Sequence, residues 1–98
     1  MSGHGIPSVY SGATRLDSDA NAVLALTRAM WFGLSKTQRR ALEQSRAFIG
    51  GRILVGVGTP TRRALVLRGL AHPQGRGQLT GLGIMVREAG IYTREHPD

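Results

Sequence analysis

The sequence predicts an α+β fold, mainly helical, with one small antiparallel β-hairpin. Three observations lead there. Four stretches repeat apolar residues at helical spacing between cap and glycine signals; Arg52-Ile-Leu-Val-Gly-Val57 is a short β-branched run; and Pro73-Gln-Gly-Arg-Gly77 is a glycine-bearing tip between two short apolar pieces. At 98 residues the chain supports one domain with a modest core, and with no cysteine that core has no disulfide or thiolate metal site to lean on.

Residues 1–16, rich in Gly, Ser and Pro, read as a flexible N-terminal arm ahead of a domain over 17–92, with a polar tail over 93–98. Asp17, Ser18 and Asp19 offer N-caps for a first helix that runs to Phe32 and stops at Gly33. Val23, Leu24, Leu26, Met30 and Trp31 share one of its faces, and Ala22, Ala25, Ala29 and Phe32 the other. Such a helix is covered on both sides, either by a partner subunit or by the protein's own core. Ser35 and Gln38 form a capping box for a second helix over Lys36 to Phe48. Its apolar face is set by Gln38, Ala41, Leu42, Ser45 and Ile49, and Gly50-Gly51 ends it before the 52–57 strand.

Thr59 as N-cap and Pro60 in the first helical position open a third helix to Arg68. Gly69 then suits a left-handed stop, with Leu70 folding back toward Leu65. Leu70 to His72 and Gln78-Leu79 are expected to pair across the 73–77 tip. Thr80 caps a last helix with an apolar stripe of Leu82, Met85, Val86 and Ala89, and Gly90-Ile91 is expected to end it.

Charge narrows the function. The net +7 is concentrated in residues 35–79, where Lys36 and eight arginines face Glu43 alone, a local +8. That is the footprint of a protein that displaces counterions from a phosphate backbone. Twelve of the 13 basic residues are arginine, which favours bidentate phosphate or guanine contacts. Catalysis finds no support. His4, His72 and His96 lack metal-ligand spacing, the acids form no pair in the basic stretch, and the glycines complete neither a P-loop nor a dinucleotide fingerprint. A binding protein rather than an enzyme is expected, with no cofactor and no metal. The run from Ala20 to Phe32 is too short to span a bilayer, so a cytoplasmic location is expected.

Leu34-Ser-Lys-Thr-Gln-Arg-Arg-Ala-Leu42, Thr59-Pro-Thr-Arg-Arg-Ala-Leu65 with Arg68-Gly-Leu70, and Gly77-Gln-Leu-Thr-Gly-Leu-Gly83 together resemble small winged helix-turn-helix domains of the MarR-like type, in phage or bacterial form, over about 34–90. The resemblance implies that the helix ending in Arg68 enters the DNA major groove, with Thr59, Thr61, Arg62 and Arg63 toward bases and phosphates. It makes Arg76, flanked by Gln74 and Gln78, the contact of the hairpin wing, and lays Arg39, Arg40 and Arg46 along the phosphate track. It also implies a homodimer through the 19–32 and 81–89 helices, engaging Val23, Leu26, Met30, Trp31, Phe32 and Met85. The pattern is not complete. Between Ile49 and Thr59 there is no room for the family's supporting helix, and Val66 and Leu67 are apolar where an exposed recognition helix is usually polar. The expected function is a double-stranded DNA-binding regulator. Its rival is a protein of the same shape acting as a protein–protein adaptor of phage or mobile-element type. RNA binding is disfavoured by the small number of aromatics, five in all.

Overall fold

A computed structural model describes residues 20–96. The 1–16 arm, the caps at Asp17, Ser18 and Asp19, and His4 lie outside these residues. In chain order come helix α1 (20–32), α2 (Lys36–Glu43), strands β1 (Arg46–Phe48) and β2 (Gly51–Ile53), α3 (Thr59–Leu67) and α4 (Gly81–Glu95). The α+β class expected from the sequence is the class observed.

α1 ends as its glycine dictates: the Gly33 amide donates to Ala29 O and Met30 O at 3.0 and 3.1 Å. α2 begins with the full capping box, Gln38 N donating to Ser35 Oγ and Ser35 N to Gln38 Oε1, both at 3.1 Å. Its end is a correction to the sequence reading. The helix stops at Glu43 instead of Phe48: Ser45 Oγ donates to Leu42 O at 2.6 Å, and the Arg52 guanidinium in turn holds Ser45, just past the helix, by its O and Oγ. Residues 46–48 then pair antiparallel with 51–53, in the register Arg46↔Ile53, Ala47↔Arg52 and Phe48↔Gly51. Gly50, at φ +84°, makes the turn. Ile49, expected on the buried face of a helix, stands at that turn 97% exposed.

The ribbon widens on its other side. Ile53 bridges Gln78 and Ala71 bridges Leu79, while Leu54 N donates to Gly77 O and His72 N to Gln78 O, both at 2.8 Å. The expected pairing across the 73–77 tip is therefore present, as a short bridge. The strand expected over 52–57 is shorter, leaving the ladder after Leu54 and turning at Gly56 (φ +65°). Side chains on the ribbon alternate. Leu54, Ala71 and Leu79 are buried on one face, and Arg46, Ile53 and Gln78 form a row on the other.

α3 is capped by Gly58, so Thr59 takes the first helical position and Pro60 the second, one residue earlier than the sequence suggests. Proline is tolerated there because first-turn amides have no intrahelical acceptor. The stop is as expected. Gly69 (φ +76°) donates to Val66 O and Leu70 to Leu65 O, both at 2.9 Å, which is the Schellman pair. Thr80 caps α4 by accepting from Gly83 N at 3.0 Å.

α4 runs through the predicted stop at Gly90 to Glu95, so Thr93–Glu95 belong to the helix and not to a tail. Gly90 serves packing. A Cβ there would stand 2.4 Å from the Trp31 indole, and one at Gly83 would stand 2.0 Å from Leu70 O. The buried face of α4 is accordingly Gly83, Val86, Ala89 and Gly90, and Met85 points outward. Leu42, Leu65, Leu70 and Val86 form the sealed centre of a core completed by Trp31, Leu34, Ala41, Leu54, Ala71 and Leu79.

Candidate nucleic-acid interface

The antiparallel register puts the 49–50 turn and the 73–77 loop at opposite ends of the ribbon. The loop end faces α3. There the Arg62 guanidinium donates to Gly75 O, joining the first turns of α3 to the loop. Thr59, Arg62, Arg63, Val66 and Pro73 line a cleft of about 300 Å3 between the two. Pro73 is shared with a neighbouring groove along the loop that includes His72, Gln74 and Gln78. Thr61 lies half-buried in the same helical turn.

Arg76 rides between Gly75 (φ +89°) and Gly77 (φ +88°), two residues in the left-handed region, and is exposed. Gly77 is also held close, since a Cβ there would be 3.1 Å from Leu54 Cβ. Arg46 belongs to this end as well. It shares a row and a face with Ile53 and Gln78, two strand spacings or about 10 Å from Gln78. Five cation-bearing or amide side chains on three segments (Arg46, Arg63, Gln74, Arg76 and Gln78) are exposed at this end. Among the described residues the ion pairs are Arg87–Glu88 and Glu43–Arg94, neither of which involves this group.

The remaining predicted DNA contacts are elsewhere. Arg39 does not pair with Glu43. Its Nε donates to Trp31 O at 3.0 Å and its Nη2 to Phe32 O at 2.8 Å, and its guanidinium lies 5.9 Å from the Trp31 ring and 5.7 Å from that of Phe32. It closes the C-terminus of α1. Arg39 and Arg40 line a cleft with α4 residues, and none of the α3 or loop residues lines it. Arg68 stands at the far end of α3, beside Met30 and Leu34. The cationic centre is thus divided among separate surfaces. Two roles were not visible in the pattern: Arg52 as the cap of α2, and Arg94 as the partner of Glu43 at 3.1 Å. The first joins residues seven apart across the 49–50 turn and the second joins residues 51 apart, and neither has a helix-periodic or capping signal.

Of the residues expected at a subunit interface, Val23, Leu26, Phe32 and Met85 are exposed and Met30 is partly buried. Trp31 is corrected: it is 6% exposed, packed on Gly90 inside the core. Between α1 and α4 runs an apolar groove that includes Val23, Leu24, Met85 and Tyr92, with Glu88 and Glu95 beside it. Among the described residues no group of three or more His, Asp or Glu is placed to hold a metal, and no helix is long and apolar enough to cross a membrane. No protein-family model matches the chain, and no curated protein or solved structure shows detectable similarity to it.

Proposed function

We propose that this protein binds double-stranded DNA through the start of α3 and the 73–77 loop and serves as a small transcriptional regulator of winged-helix-like design. The observation that carries the reading is the hydrogen bond from Arg62 to Gly75 O, which makes one surface of two segments. A helix start and a glycine-hinged loop held side by side suit a groove and its flanking phosphate. Arg63, Arg76 and Arg46 supply guanidinium groups for the backbone, and Thr59, Gln74 and Gln78 supply donors and acceptors at its centre. The second half of the proposal is a homodimer that covers the α1–α4 groove, with Val23 and Met85 (each 43% exposed) on its two walls.

Fluorescence anisotropy with a labelled duplex tests this. Affinity should fall steeply from low to physiological salt, and Arg62→Ala with Arg63→Ala should weaken binding and lower the salt slope by about 1 for each phosphate no longer neutralised. Arg28→Ala, which removes one arginine on α1, should have little effect on affinity or salt slope. Absence of duplex binding at low salt overturns the reading. The adaptor reading is favoured by one observation, Leu67 on α3 at 82% exposure, an apolar side chain with no use against phosphate.

A further inference from the structure

We propose that the cleft bounded by the end of α1, by α2 and by the C-terminal half of α4 is a nucleotide site, taking a planar ring that carries a phosphate. This is independent of the duplex-binding reading, because the cleft shares no lining residue with the α3–loop surface. Its volume is about 360 Å3, within the range of roughly 300–1,000 Å3 usual for small-molecule clefts.

Three features specify the ligand. The first is charge. Lys36, Arg39, Arg40 and Arg94 line the cleft against one carboxylate, Glu43, and that carboxylate is engaged by Arg94 at 3.1 Å. Such a site wants an anion with several oxygens, and phosphate matches guanidinium donors in geometry. The second is preorganisation. Arg39 is held by the Trp31 and Phe32 carbonyls, so its orientation is set before any ligand arrives. The third is the rim. Phe32 offers a ring 54% exposed beside these cations, an apolar face on which a base can stack. A purely inorganic anion leaves that ring unused, and an apolar ligand leaves the cations unanswered.

The test uses adenosine 5′-monophosphate with the full chain. Trp31, the sole tryptophan, forms the floor of the cleft, so its emission reports binding directly. Saturable quenching by the nucleotide is expected, with adenosine and inorganic phosphate each binding about tenfold more weakly or worse, since each keeps only one of the two contacts. Lys36→Ala with Arg40→Ala, both at exposed positions, should weaken binding by about tenfold or more. Glu43→Gln should strengthen it by removing the one anion. Arg62→Ala with Arg63→Ala should leave it unchanged, so loss of duplex binding and loss of nucleotide binding are read separately. A 5′-phosphorylated single-stranded oligonucleotide competing better than the mononucleotide assigns the site to a strand end, and the reverse order assigns it to a free nucleotide; either supports the site. No saturable change with the mononucleotide at millimolar concentration, or equal affinity in the Lys36/Arg40 variant, overturns it.

Discussion

Replacing Gly90 with alanine reverses sign according to what that glycine is for. Alanine in place of an interior helical glycine ordinarily gains about 1 kcal/mol from helix propensity. At Gly90 the added Cβ would lie 2.4 to 2.5 Å from three atoms of the Trp31 indole, whereas carbon contacts are comfortable at about 3.5–4.0 Å. The ring must therefore retreat by more than 1 Å, and at 6% exposure it is enclosed by the core. Overpacking of this kind costs about 1–3 kcal/mol, and the depth of overlap with a large rigid ring places it at the upper end. After the propensity gain, a net loss of about 2 kcal/mol remains, which for a domain of this size lowers Tm by about 8–16 °C. Circular dichroism at 222 nm against temperature measures it. Gly81→Ala is the control, because a Cβ there meets nothing within 4 Å, and it should be neutral or stabilising by up to about 1 kcal/mol. In a Trp31→Leu background the cost of Gly90→Ala should shrink, the two sites being coupled by direct contact. A Gly90→Ala protein as stable as the wild type, or more so, would refute the packing argument.

Other outcomes follow from the same contacts. Arg52→Ala should cost about 1–3 kcal/mol in urea denaturation, since it strips the donors from Ser45 O and Oγ at the end of α2. Ile49→Ser should change stability by no more than about 0.5 kcal/mol, as expected of a side chain 97% exposed; a large loss would mean that Ile49 is buried after all. Ser35→Ala should cost about 1 kcal/mol by removing the capping box of α2. Val23→Glu, on the groove wall, should turn the proposed dimer into a monomer by sedimentation, and a dimer that persists would remove the α1–α4 groove as its interface.

Helix ends written within four residues are legible along the chain: the Ser35–Gln38 box, the Thr80 cap and the Gly69–Leu70 stop all form with the expected partners. The energy of these features lies in bonds between near neighbours, so the local sequence specifies them. The start of α3 and the proximity of Thr59, Arg62, Arg63, Gln74 and Gln78 belong to the same class in part, because a helix start and a short loop each place their own side chains. What joins them is the Arg62–Gly75 bond, between residues 13 apart, and no local pattern announces it.

Charge and glycine were the two signals that the chain left open. Nine cations in one stretch of sequence did not become one surface, since folding sent Arg39 to the carbonyls of α1, Arg52 to the end of α2, and Arg40 and Lys36 to a cleft on α4. A Gly-apolar pair stops α3 at 69–70 yet continues α4 at 90–91, because a left-handed turn and a close helix contact both require a missing Cβ. Composition, periodicity and cap residues determined the α+β class, the starts of α2 and α4 and the excess of positive charge. Which arginines are spent inside the molecule and where the second helix yields to a strand were decided by contacts that bridge one element and the next, Arg39 to the end of α1 and Arg52 to Ser45. Which glycines are contacts was decided by elements far apart in sequence, as Gly90 meets Trp31.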